Sequence, residues 1–168
     1  MGPMEIVDFE PQFAGAFRAL NEAWINRYFA LEAKDAEVLG DPQGKIIDGG
    51  GQVLFAQADG EIVGCCALIR LGDGAFEVAK MAVADSHQGK GLGRALMAAC
   101  VERARAAGAR RLYLETNSVL KPALSLYRSF GFQEIEPAEP SPYARADVAM
   151  ELILRWPRAS SGAPSIQR

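Results

Sequence analysis

Gln88-Gly-Lys-Gly-Leu-Gly93 lies between a strand pattern and an amphipathic helix pattern, and its reading decides the fold. Before it, Glu77-Val-Ala-Lys-Met-Ala-Val83 supplies apolar β-formers at Val78 and from Met81 to Val83. After it, Leu92, Ala95, Leu96, Ala99 and Cys100 recur at helical spacing, and Gly108 is placed to end the helix. A strand, a glycine loop and a helix start aim several backbone N–H groups at one point, and the positive end of the helix dipole adds to them. Such a turn suits a phosphate or pyrophosphate. Glycine is needed because a β-carbon obstructs both positive φ and the close approach of a ligand.

Spacing narrows the choice of ligand. A P-loop requires Ser or Thr after its lysine, whereas Lys90 is followed by Gly91. A dinucleotide fingerprint requires a third glycine where this chain has Arg94 or Leu96, depending on the starting glycine. What remains is Gln88-x-x-Gly91-x-Gly93. Downstream come a strand pattern, Arg110-Arg-Leu-Tyr-Leu-Glu-Thr-Asn117, and then Ala123-Leu-Ser-Leu-Tyr127-Arg-Ser-Phe-Gly131-Phe132. The glycine loop resembles the coenzyme A loop of the GCN5-related N-acetyltransferases, and the Ala-x3-Tyr with its Gly-Phe resembles that family's fourth helix and exit. The likeness is specific over residues 76–133. Over 4–75 and 134–156 mainly the order of elements agrees.

Composition fits one such domain. The 168 residues suffice for a single core, with 49% hydrophobic and 23% charged residues, as in a globular protein. No apolar run approaches the roughly 20 residues of a membrane span, so no membrane association is expected. The three cysteines are Cys65, Cys66 and Cys100, and the adjacent pair points to opposite faces of a strand. An odd count with this placement reads as reduced, buried thiols of a cytoplasmic protein. One histidine and no Cys-x-x-Cys leave no metal site to expect.

The net charge of −3 is unevenly spread. Residues 1–60 hold ten acids and four bases, whereas residues 88–128 hold eight bases and two acids. The basic stretch coincides with the phosphate loop and can draw in a polyanionic cofactor. The acidic stretch suits either a solvated face or a cationic acceptor. An acidic pI of about 5.3 argues against nucleic acid as a partner.

Along the chain, Glu5–Phe9 suits a first strand. Phe17, Leu20, Trp24, Tyr28 and Leu31 form a helical stripe within 13–31. A short helix is expected over 34–39, and a hairpin over 52–58 and 61–71 with its turn at Asp59-Gly60. Closing strands are expected at 133–135 and 147–154, and residues 157–168 read as a disordered tail beyond a single domain at 4–156. The expected fold class is α/β (α+β): a mixed, mostly antiparallel central sheet flanked by helices.

The resemblance implies more. In that family two central strands splay apart and the pantetheine arm of the cofactor lies between them. Carried onto this chain, the exposed backbone groups belong to Met81 and Val83, with Ala82 between them, and the Met81 N–H becomes the oxyanion donor. The pyrophosphate contacts fall on Gln88, Gly89, Lys90, Gly91, Leu92, Gly93 and Arg94. Tyr127 matches the tyrosine that protonates the departing thiolate; packing against Phe130 and Phe132 is the competing role. Glu77, eleven residues before Gln88, stands where some members place a general base; a strand carboxylate paired with Lys80 is the competing role. Many members carry an asparagine seven residues before the tyrosine, but here that residue is Leu120, which leaves Asn117 as a replacement cofactor contact.

The implied activity is direct transfer of an acetyl group from acetyl-CoA, as co-substrate, to a primary amine. The acceptor is expected to be a small molecule. A protein lysine, a protein N-terminus and a non-catalytic acyl-CoA sensor are the alternatives. Trp24, Tyr28, Phe29 and Glu32 fall on the helix that walls the acceptor pocket in the family, and Tyr143 and Arg145 are further acceptor contacts. His87 is expected to be solvated. Val148, Met150, Leu152 and Leu154 form an apolar strand face on which a homodimer would pair.

Overall fold

The computed structural model describes residues 4–154; the expected tail at 157–168 lies outside the described residues. Seven strands, β1 (Met4–Asp8), β2 (Gln52–Ala58), β3 (Glu61–Gly72), β4 (Ala75–Val83), β5 (Arg111–Thr116), β6 (Gln133–Ile135) and β7 (Val148–Ile153), form one sheet. Their spatial order is β1-β2-β3-β4-β5-β7-β6, antiparallel throughout except for β4 against β5. Four helices flank it: α1 (Ala14–Tyr28), α2 (Ala33–Gly40), α3 (Leu92–Ala106) and α4 (Lys121–Ser129).

The alternation of strand side chains splits the core in two. On one face Leu96, Met97, Cys100 and Ala104 of α3, with Leu124 of α4, pack on Leu54, Cys66, Leu68, Leu112, Leu114 and Met150. On the other, Phe17 and Ile25 of α1 and Val38 and Leu39 of α2 pack on Val53, Phe55, Cys65 and Ala67. Cys65 and Cys66 thus serve opposite faces, and all three cysteines are free and buried.

Three departures from the expected elements have physical causes. Helix α1 ends at Tyr28 because Phe29 is extended (φ −147°), so Tyr28 and Leu31 of the expected stripe stand exposed. The line it buries is Phe17, Asn21 and Ile25; Asn21 tolerates burial by donating to the Phe17 carbonyl at 3.0 Å and to Cys65 Sγ at 3.3 Å. Between α2 and β2, Gln43–Ile47 forms a π-helical turn that buries Ile46 and was not expected. Finally, β7 lies between β5 and β6, and Met150 and Leu154 sit in the chain's own core with Val148 and Leu152 packed against them. The face on which the dimer expectation rested is therefore already covered.

Two irregularities place the site. Strand β4 pairs with β5 only through Ala75–Glu77 against Arg111–Tyr113. Beyond Glu77 the two strands diverge, and among the described residues the β4 backbone has no strand partner on that side. Against β3 the ladder jumps from Ala67↔Ala79 to Cys65↔Ala82, leaving a bulge in which Lys80 takes φ +56°.

Candidate active site

The glycine loop joins the splayed strand to α3. Gly89 and Gly91 have φ of +75° and +81°, the left-handed region that favours glycine. A Cβ on either would meet no protein atom within 4 Å, so glycine is required there by backbone conformation and not by crowding. Gly91 is the N-cap of α3 and no side chain caps the helix, which leaves the first-turn N–H groups directed outward. Gln88 ties the loop to the strand by donating from Nε2 to the Val83 carbonyl at 2.9 Å. Lys90 is exposed at the rim, and Arg94 lies over the Phe130 ring and reaches Ser129 Oγ at 3.2 Å.

A cavity of about 120 Å³ occupies the splay between β4 and β5. Glu77, Lys80 and Met81 line it from β4, Glu115 and Thr116 from β5, Tyr127 from α4, and Trp24 and Phe29 from the end of α1. The structure therefore gathers Glu77, Met81, Asn117 and Tyr127 around one space, next to the loop. Glu77 is half-buried and enters no ion pair among the described residues. Burial pushes its carboxyl up to about 7, the neighbouring Glu115 charge adds to the rise, and Lys80 and Lys34 pull against it. The competing role, a carboxylate paired with Lys80, does not hold, because Lys80 Nζ lies on Asp35 Oδ1 at 2.7 Å. Burial pushes the Tyr127 hydroxyl up to about 12, and Thr116 is its hydrogen-bonding partner. Tyr127 keeps its proton at neutral pH while its ring packs 6.1 Å from Phe132.

A buried ionic cluster closes one wall, and its centre escaped the sequence reading. Fully buried Asp35 accepts from Lys80 Nζ, from Arg145 Nη1 and Nη2 at 2.8 and 2.6 Å, and from the Glu32 N–H at 2.9 Å. Burial raises the Asp35 carboxyl, but the hydrogen bonds from Arg145, Lys80 and Glu32 outweigh it and hold it well below the usual range. Lys80 also donates to Tyr143 Oη at 3.0 Å. Glu32 accepts from the Ala144 N–H at 3.0 Å and from Arg145. Its carboxylate is thus spent on the loop and not presented to an ammonium group. The only sequence signal for this cluster was that Asp35, unlike Glu37, falls three and four residues before Val38 and Leu39, on the apolar face of α2.

Asn117 lines the cavity, but it donates to the Arg145 carbonyl at 2.7 Å and accepts from the Val119 N–H at 2.9 Å. It fastens the 143–147 loop to the end of β5. Glu115 was not singled out from sequence; it accepts from Tyr113 Oη at 2.7 Å and from Ser141 Oγ at 2.6 Å. His87 bonds to Ser86 and does not line the cavity. Tyr28 stacks on Trp24 outside it. Among the described residues, no group of three or more His, Cys, Asp or Glu side chains could hold a metal ion, and no helix is long and apolar enough to cross a membrane.

A family model described as the acetyltransferase (GNAT) family matches residues 15–132. YsnE, an uncharacterised N-acetyltransferase of Bacillus subtilis, is 40% identical over 79 residues, covering 46% of this chain and 52% of that protein. A GNAT-family acetyltransferase from Staphylococcus aureus Mu50 superposes with a TM-score of 0.82 at 19% identity, over 91% of this chain and 100% of that one. The yncA protein of Salmonella typhimurium, whose structure contains its cofactor acetyl-CoA, gives 0.71 at 22% identity, over 96% and 99%. The chain spans about half the length of the first curated relatives it matches.

Proposed function

The chain belongs to the acetyltransferase (GNAT) family, and from that premise we propose that it transfers the acetyl group of acetyl-CoA directly to a primary amine on a small molecule. The observation that carries the reading is one cavity, in the splay of β4 and β5, lined by both Glu77 and Tyr127 beside the glycine loop. In this reading the pyrophosphate rests on the backbone of Gln88, Gly89, Lys90, Gly91, Leu92, Gly93 and Arg94. The pantetheine arm extends along the unpaired edge of Met81, Ala82 and Val83, and the remaining amide hydrogen of Asn117 is directed to the same ligand.

Chemistry follows from the two titrating groups. An alkylamine with a pKa near 10.4 is almost wholly protonated at pH 7, so a base must take its proton before attack. A carboxyl near 7 is half ionised there and strong enough for the task, directly or through a water. The amine nitrogen then bonds to the thioester carbonyl carbon, whose oxygen is met by the Met81 N–H. The C–S bond breaks, and Tyr127 gives its proton to the departing thiolate. Burial pushes the Cys65 thiol up to about 12, and a hydrogen bond with Cys100 together with burial raises Cys66. Neither is disposed to become an acyl carrier, which supports direct transfer.

The test has two parts: calorimetric titration with acetyl-CoA, and thiol release across a panel of amines. Binding with amine-dependent thiol release supports the reading. Binding without turnover on any amine would leave an acyl-CoA sensor.

A further inference from the structure

Glu115 lines the cavity from β5. That residue also borders a second, larger groove of about 570 Å³ on the open face of β5, β7 and the loop that follows β6. Helices α1 and α2 pack on β2–β4 and leave this part of the sheet uncovered. The groove is acidic: Glu115, Glu136, Glu139 and Glu151 line it against one cation, Arg111, which Glu151 already pairs at 2.7 Å. Glu115, Glu136 and Glu139 enter no ion pair among the described residues. Hydroxyl donors from Tyr113 and Ser141 fix Glu115 in place as an acceptor. Between the carboxylates, Leu71, Ile135 and Pro137 give an apolar lining.

On the cavity side, Lys80 and Arg145 are balanced by Asp35 and Glu32, so they offer no free positive charge to an anionic acceptor. The unbalanced charge along the cavity and groove is negative, with hydrocarbon between the carboxylates. That pattern complements an aliphatic chain carrying more than one ammonium group.

We propose that the acceptor is a small aliphatic polyamine: its reacting nitrogen enters the cavity beside Glu77, and its remaining ammonium groups lie in the groove against Glu115, Glu136 and Glu139. The proposal rests on the acetyltransferase reading for the identity of the reacting end. A second charge in the groove lowers the dissociation constant and raises the encounter rate, and both effects weaken as salt screens the carboxylates.

Two measurements test it. In the first, a linear triamine and butylamine are titrated calorimetrically into the wild-type protein and into a Glu136→Gln/Glu139→Gln double variant, at low and high salt. The triamine should bind more tightly than butylamine, and the double substitution should weaken it roughly three- to tenfold, as expected for exposed charge pairs. In the second, thiol release from acetyl-CoA is compared for butylamine, the diamine of the same chain length and the triamine. The ratio of kcat/KM for triamine over butylamine should exceed about tenfold, beyond the factor from having more than one reactive end, and should collapse in the double variant. Equal triamine affinity in the two proteins, or thiol release that does not discriminate among the amines, overturns the groove assignment and leaves acetyl transfer standing. A lysine-rich peptide that outcompetes the triamine also overturns it, in favour of a protein acceptor. If no amine yields thiol, acetyl transfer fails, and the titration still decides the groove.

Discussion

Glu77 carries two linked consequences. Folding raises its carboxyl from the ordinary 4.5 to about 7, so the folded chain holds that proton more tightly than the unfolded chain. Stability is unaffected below about pH 4.5 and is lost as pH rises from there through 7. Glu77→Gln cannot ionise, so it should be the more stable protein at pH 8, by about 1–3 kcal/mol, and nearly level with wild type at pH 4. Thermal melts of the two proteins at both pH values check this without any substrate. Tyr127 belongs to the same scale. Tyr127→Phe keeps the ring against Phe132 and removes the proton, so kcat should fall by roughly 10–10⁴-fold while acetyl-CoA affinity holds. Full activity in that variant would return Tyr127 to a packing role. The family resemblance offered both residues, Tyr127 through the Ala-x3-Tyr with its Gly-Phe and Glu77 through its place eleven residues before Gln88. It did not offer Glu115, whose partner Ser141 reaches it only when the late loop folds over β5.

At the scale of elements, α2 and the 143–147 loop are held together by Asp35. Removing its charge leaves the mostly buried Lys80 without its counter-ion and Arg145 with only the longer contact to Glu32. Asp35→Asn should therefore cost about 3–5 kcal/mol, read as a lower urea midpoint at pH 7. Because its carboxyl is held low in the fold, the wild type should lose the same contribution as pH falls below the ordinary carboxylate value of 3.8. The glycine loop is the second element to test. A Cβ at Gly91 meets no protein atom within 4 Å, so Gly91→Glu is not barred by crowding at Cβ; it sets a carboxylate against an incoming phosphate and strains φ. Acetyl-CoA binding should be lost, and Gly91→Ala, which shares the strain and lacks the charge, should bind measurably; calorimetry on both separates the causes. Periodicity located α2, the hairpin and α3 to within a few residues, because their apolar positions follow one face. It misjudged α1 because a buried Asn21 takes a core position and the chain leaves the helix before Leu31. The bulge at Lys80 was hidden for a different reason: it shifts the alternation of β4 so that Phe76 and Val78 share a face with Met81 and Val83, but the continuous apolar run from Met81 to Val83 masks the shift.

The described molecule is a sheet opened at one seam, with Glu77 and Tyr127 facing the cavity there, the glycine loop beside it, and the acidic groove starting from Glu115 on the neighbouring face. The sheet class and the splay were legible through the resemblance. The distribution of charge was not. The acid excess of residues 1–60 suited either a solvated face or a cationic acceptor, yet two of its acids, Asp35 and Glu32, are turned inward and neutralised by Arg145 and Lys80. The basic stretch of residues 88–128 contains Glu115, which tertiary packing joins to Glu136 and Glu139 in a single acidic groove. Linear counts cannot see that assembly. The central claim, that a base and an acid facing one cavity move an acetyl group onto an amine, is tested most directly by the pH dependence of kcat/KM. The measurement is thiol release from acetyl-CoA for the wild type and for Glu77→Gln on one amine from the panel. The wild-type rate should rise through an apparent pKa near 7, and the variant should lack that limb, fall furthest behind at neutral pH and recover toward high pH, where the amine deprotonates unaided. Profiles of the same shape for the two proteins would contradict the account.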